Sequence, residues 1–403
     1  MKKKFILLLV LILITVLTTL VWYFIPKAIK DPIRNGIVTS FPFLENPSDP
    51  TNNIINPSEK GLDTNKPTSD SGVNFNLVKL SNEKIDDFVI YKDFVYFIDR
   101  AMGNIFRISI SSHPDLYRIT NTNTKKGGQY KLGLLDTGIF LVGKNPDGTL
   151  VSSIINETDL ISTSSVTSLI FRDWPIKAES IQIDNSLNVF VLEPINGYFN
   201  LMEINIKSGD EKRVSRTPHR EWSIQKTRDW LFLQTRPAGE LLSYLYSIGR
   251  DGAWSKVIDK KRNLDTLVSP DGSKILVSYN QTSDQILMSV YDIKTKKATP
   301  IKARTFAQKC AWTLDSLTVW CAVPRITSFG LNITDWYKGK LITTDDLWSI
   351  DTETNYEALE YVVESTTFDV ARMKVSDSGE FLIIQDKKDS LWAYNLYNYD
   401  SRR

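Results

Sequence analysis

The 403-residue chain carries 49 Lys and Arg against 47 Asp and Glu, a formal net charge of +2, and without Lys2, Lys3 and Lys4 the balance is 46 to 47. So even a balance lacks the concentrated cationic excess with which proteins neutralise phosphates, and no nucleic-acid partner is expected. A content of 42% hydrophobic and 11% aromatic residues excludes global disorder, and two His and two Cys leave almost nothing for a His- or Cys-rich zinc site.

Residues 5–25 (FILLLVLILITVLTTLVWYFI) run for 21 positions without a charge, about 31 Å as a helix, which matches the hydrocarbon core of a bilayer. A cleaved signal peptide would end in small residues, whereas this segment ends in Val21-Trp22-Tyr23-Phe24. The expectation is one uncleaved N-terminal transmembrane helix, with residues 1–25 forming a cytoplasmic stub and anchor. Lys2, Lys3 and Lys4 outweigh the dispersed Lys27, Lys30 and Arg34. That bias places the N-terminus in the cytoplasm and the rest outside it, as a single-pass protein of the cell membrane. Residues 26–73 contain seven prolines amid Asn, Asp, Ser and Thr, the composition of a disordered linker.

Residues 74–403 read as short apolar strands and turns with a repeat. YKDFVYFID, LLDTGIFLVG, IDNSLNVFVLE, TRDWLFLQT, SPDGSKILVSY, LDSLTVWCAV and SDSGEFLIIQ each place an Asp just before a strongly apolar strand. The Asp residues are 93, 136, 184, 229, 271, 315 and 377, spaced by 43, 48, 45, 42, 44 and 62 positions. Repeats of roughly 40 to 50 residues built from several short strands predict an all-β fold, a seven-bladed β-propeller. The last unit lacks a fourth strand and 74–80 (NFNLVKL) is a strand left over at the start, so the N-terminal strand is expected to complete the last blade.

The fragment LVSPDGSKILVSYNQ, followed by ILMSVYDIKTKKATPI, resembles the TolB-type, WD40-like (PD40) propeller repeat, which joins a Ser-Pro-Asp-Gly turn to an apolar strand and then to a strand ending in Asp, x, x, Thr. The seventh unit matches in part and the other five in outline. RAMGNIF, KCAW with CAVP, DWYKG and DDLW are also similar to membrane-anchored bacterial propellers of unassigned function from small episymbionts. Neither resemblance implies an activity.

Cys310 and Cys321 lie symmetrically about the turn at Asp315 and would face each other in a tight hairpin, as a disulfide or as two buried thiols. The long last spacing places an insertion within 324–344, between the second and third strands of its blade. With FRDWP (171–175) and PHREW (218–222) it is expected on the face opposite the Asp turns. These loops offer Arg172, Trp174, His219, Arg220, Trp222, Arg325, Trp336, Tyr337 and Lys338 as a binding surface of residue types that anchor recognition, with inter-blade packing as the competing role for each Trp. Trp336 and Tyr337 stand out because the fold does not require their insertion.

No G-x-S-x-G nucleophile elbow and no calcium loop occurs, and no cofactor or metal site is expected. The function read from these features is an interaction module in the cell envelope, anchored in the membrane and binding a protein or cell-wall partner. The alternative is a glycan-active hydrolase or lyase with carboxylates in the propeller channel.

Overall fold

The strand after each Asp turn is apolar on both sides, and such a strand is stable only between two packed layers. In the computed structural model these strands are inner strands of antiparallel sheets, and each is almost wholly buried, as in Val95–Ile98 and Ile139–Val142. The structure describes residues 77–396 except 111–113, 122–129, 163–165, 184–187, 228, 238, 240, 283–284, 326–329 and 366, all within one compact unit, Ser71–Arg403.

In chain order, β1 (Leu77–Ser81) precedes a sheet of β2 (Ile85–Tyr91), β3 (Phe94–Asp99), β4 (Ile105–Ser109) and β5 (Leu116–Arg118). The next contains β6 (Lys131–Leu135), β7 (Gly138–Lys144), β8 (Thr149–Asn156) and, after the helix α1 (Glu157–Ile161), β9 (Arg172–Lys177). A third holds β10 (Ser180–Ile183), β11 (Asn188–Ile195), β12 (Tyr198–Asn205) and β13 (Glu211–Thr217). A seven-stranded sheet follows, of β14 (Trp222–Lys226), β15 (Leu231–Thr235), β16 (Leu242–Ile248), β17 (Trp254–Val268), β18 (Lys274–Asn280), β19 (Ile286–Asp292) and β20 (Ala298–Ile301). The long β17 pairs with β16 through its first part and with β18 through its last. Then come β21 (Cys310–Trp312), β22 (Thr318–Pro324), the helix α2 (Ile333–Tyr337), β23 (Asp345–Asp351) and β24 (Glu357–Tyr361). The last sheet contains β25 (Val370–Val375), β26 (Phe381–Asp386) and β27 (Leu391–Asn395), and β1 is its fourth strand, with Leu77 opposite Tyr394 and Val78 opposite Ala393.

Buried clusters link each group of strands to the next. Phe88 and Phe97 pack on Ile383 and Leu391, Val89 on Leu132, Phe140 and Trp174 on Ile181 and Val191, and Phe190 on Trp222 and Leu233. Phe232 and Leu245 then meet Ile275, Leu276 meets Val319, and Trp320 meets Val370 and Tyr394. The succession returns to its start, so the sheets form a closed ring. Closure through β1 leaves no gap between the first and last sheets. Each fully buried aliphatic or Phe side chain contributes about 1.5 to 3 kcal/mol, which makes these seams the main source of stability.

Six of the seven Asp turns join the first and second strands of their groups, and Asp184 lies outside the described residues. Asp271 shows the mechanism. Its Oδ1 accepts from Ser273 N at 3.0 Å and Ser269 Oγ at 2.6 Å, and these bonds hold its pKa down at about 2 although burial works against them.

Two expectations are corrected. Among the described residues no helix is long and apolar enough to cross a membrane, and α1 and α2 have five residues each. The single-pass membrane localisation therefore does not stand, and residues 5–25, which carried it, lie outside the described residues together with the linker 26–73. The segment FRDWP is no connecting loop either. Arg172–Lys177 is the fourth strand of its sheet, because alternation of exposed and buried residues lets Trp174 and Ile176 fill the seam to the next sheet.

Candidate functional site

The nine residues expected on one face fall in three separate places: on β9, in and just before β14, and between β22 and β23. Arg172 stacks 4.0 Å over the ring of Trp174, which is 1% exposed and donates Nε1–H to Ser152 Oγ at 2.9 Å. His219 and Arg220 are exposed in the connection before β14, where Arg220 pairs with Glu221. Trp222 is 2% exposed in the seam and donates to the His219 carbonyl at 3.0 Å. Arg325 is held by Asp346, at 2.9 and 2.5 Å, and by the Val363 carbonyl. The insertion does not project. Trp336 is 2% exposed, donates to Asp369 Oδ1 at 2.8 Å, and lies under the ammonium of Lys387, 3.6 Å from its ring centroid. Tyr337 is 51% exposed, yet its hydroxyl end turns inward to donate to Gln308 Oε1, and burial there pushes its pKa up. Lys338 is exposed at the end of α2. The insertion is thus packed into the ring, so Trp336 is a core residue and not a free recognition group.

Beneath it lies a buried ion cluster. Lys309 Nζ bonds Thr343 Oγ1 at 2.6 Å, Asp345 Oδ2 at 2.8 Å and Asp369 Oδ1 at 2.7 Å, and both Lys309 and Asp345 side chains are fully buried. Burial raises the pKa of Asp345, and Lys309 opposes the shift. Beside this cluster, Cys310 and Cys321 stand opposite each other on β21 and β22, with Cα atoms 4.1 Å apart and a disulfide between them.

A different constellation has the character of a ligand site. The first strands β2, β6, β10 and β25 belong to four different sheets and meet around a cavity of about 130 Å³. Strands of four sheets can share a cavity only in the middle of the ring. Asp87, Lys131, Gln182, Arg372 and Lys374 supply its polar lining. Asp87 Oδ1 pairs with Arg372 NH1 at 2.5 Å and its Oδ2 accepts from Leu132 N at 2.8 Å, so both oxygens are engaged. Burial would raise its pKa, but Arg372, Lys374 and Lys131 together bring it below the ordinary carboxylate value. Among the described residues Lys131 and Lys374 form no ion pair. Burial depresses both ammonium pKa values, with Arg372 adding repulsion, and that of Lys374 falls to about 8. Three cations therefore face one carboxylate that is already paired.

None of these residues was singled out from the sequence. The signal was an alternation on first strands, Arg372 and Lys374 flanking buried Met373, and Asp87 two positions before Val89, which puts charge on the inward side of a strand that should be apolar or neutral there. A second buried acid, Asp265 on β17, accepts from Gln308 N at 2.8 Å, and burial raises its pKa to about 7.

No protein-family model and no curated protein matches the chain. Among solved structures, an oligogalacturonate lyase in complex with manganese is 11% identical with a TM-score of 0.54, covering 79% of this chain and 90% of that one. The oligogalacturonate lyase of Vibrio parahaemolyticus is also 11% identical with a TM-score of 0.54, covering 82% and 96%. At this identity the likeness shows the fold alone, a β-propeller. A metal like the manganese of the first neighbour does not fit the donors here, since among the described residues no three His, Cys, Asp or Glu come together.

Proposed function

We propose that the chain is a seven-bladed propeller that acts as a lyase on uronate-bearing oligosaccharides in its central cavity. The blade count is supported by dividing β17 into the fourth strand of one blade, opposite β16, and the first strand of the next, opposite β18. The observation that carries the activity is the charge of Lys131 and Lys374, left uncompensated beside the Asp87–Arg372 pair. A hydrolase would use two facing carboxylates, one of them free to give or take a proton, whereas among the described residues Asp87 is the single acid lining this cavity and is tied to Arg372. Elimination needs a cationic seat for the uronate carboxylate and a base beside it. Lys131 and Arg372 provide the seat. Lys374, whose neutral amine is accessible near pH 8, is the base.

In that reaction the Lys374 amine takes the proton on the carbon next to the carboxylate. The C–H electrons form the ring double bond, the glycosidic C–O bond breaks, and the leaving oxygen is protonated from water. Cationic stabilisation of the enolate-like charge supplies the differential binding. The cavity is worth about four waters at ~30 Å³ each, room for an acid group and part of one ring, so the substrate enters by one end. Incubation with an oligogalacturonate ladder, followed by ultraviolet absorbance of the unsaturated product, tests the proposal. Product that vanishes in Lys374→Met supports it. Binding without product returns the chain to the recognition class, and neither binding nor product overturns the reading.

A further inference from the structure

A larger cavity lies elsewhere, about 620 Å³ between β19–β20 and the sheet of β21–β24. It exists because β20 has four residues against seven in β19, and their pairing ends at Met288 opposite Ile301. The start of β19 is left without a fourth-strand neighbour. The chain then turns inward through Lys302, Ala303 and Arg304. Glu357 fixes this turn by accepting from Lys302 N and Ala303 N, both at 2.7 Å, so its two oxygens are used on backbone. Arg304 donates to the Ile286 carbonyl at 2.8 Å and closes the open edge of β19.

We propose that this groove is a second binding site, for the chain of an acidic oligosaccharide. Its volume lies in the ~300 to 1,000 Å³ range of ligand sites, well beyond what a single small anion fills. Trp348 is half-buried and Tyr356 is 61% exposed, giving ring faces of the kind that stack on sugar C–H surfaces. The side chains of Lys302 and Arg304 are exposed and form no ion pair among the described residues, whereas Arg325, which also lines the groove, is tied to Asp346. A peptide that added itself as a strand would need the edge groups of β19, and Arg304 already occupies that edge. Ring faces with carboxylates therefore match the groove better than a peptide backbone.

The inference rests on the acidic-saccharide reading for its ligand, but not on chemistry in the central cavity. The test is calorimetric titration of the full chain with galacturonate oligomers of increasing length and, separately, with heparin oligomers. Lys302→Glu and Tyr356→Ala change exposed side chains only, so folding is preserved. Each is expected to weaken binding of the longer oligomers about tenfold, while Lys374→Met leaves that length-dependent gain in place. Heparin binding that responds to these variants, with no galacturonate binding at all, would keep the groove and remove the lyase. Equal affinity for a neutral dextran oligomer, or no effect of either groove variant, would overturn the proposal. So would tighter binding of oligoglutamate than of either saccharide, or failure of every probe to bind.

Discussion

Replacing Lys374 by Met separates a ligand site from a structural ion pair, because the two respond to the change with opposite signs. The amine is brought from 10.5 to about 8, chiefly by burial; Asp87 opposes the shift, and Arg372 and Lys131 add to it by repulsion. About 2.5 pKa units at ~1.36 kcal/mol each give ~3.4 kcal/mol as the cost of holding this charge in the folded ring. The side chain is only half-buried by area, so cavity water screens part of it, and ~1 to 2 kcal/mol is the expected gain for Lys374→Met at pH 7. The native state binds fewer protons at this site than the unfolded chain between about pH 8 and 10.5. Wild-type stability therefore rises through that window, and the advantage of the variant shrinks toward zero above it. Urea unfolding followed by tryptophan fluorescence at pH 7, 9 and 10.5 measures the difference. A variant less stable at pH 7, or an advantage that does not fall with pH, refutes the reasoning, since either would mean that Lys374 is satisfied by the fold.

The buried carboxyl of Asp265 titrates near pH 7, far above its ordinary 3.8. The native state thus holds an extra proton between about pH 4 and 7, wild-type melting temperature falls as pH rises across that window, and Asp265→Asn flattens the profile. Trp336→Ala empties a buried site and should cost about 3 to 5 kcal/mol in chemical denaturation. A chain starting at residue 82 lacks β1 and is expected to melt well below one starting at residue 72; equal melting temperatures would show that the last sheet does not need its fourth strand. Non-reduced protein should titrate no thiol, and removing the pair by Cys310→Ala with Cys321→Ala should cost about 3 kcal/mol for so short a loop.

What was legible in the sequence was whatever repeats or is fixed by local chemistry. Asp271 and Asp315 each accept from a backbone N–H of their own hairpin, Ser273 N and Leu317 N, both at 3.0 Å, so the motif marks a hairpin by local chemistry. The facing of Cys310 and Cys321 follows from symmetry about the same turn, and the pairing of the N-terminal strand from an unmatched count. The tryptophans were ambiguous because residue type alone does not tell a recognition anchor from a seam filler. Trp336 is drawn inward by Asp369 and Lys387, which lie far along the chain on other elements. The central cavity was illegible for a related reason. Lys131 and Lys374 belong to different sheets, and only ring closure brings them together.

The ring buries lysine in two places and treats it in opposite ways. Lys309 is surrounded by Thr343, Asp345 and Asp369, and the same Asp369 receives the indole of Trp336, so every donor serves to pin the insertion. In such a cluster the lysine charge is met by acids of the fold and none of its donors is left for an anion. Lys131 and Lys374 face a carboxylate whose two oxygens are taken by Arg372 and by backbone. This fold evidently can neutralise a buried lysine with nearby acids, so the absence of such partners around a cavity is not imposed by the architecture. An unfavourable charge retained where an apolar side chain would be more stable is what a binding site for an anion requires. The same contrast explains why the aromatic insertion, conspicuous in sequence, is structural, while inconspicuous residues on β6 and β25 carry the proposed chemistry.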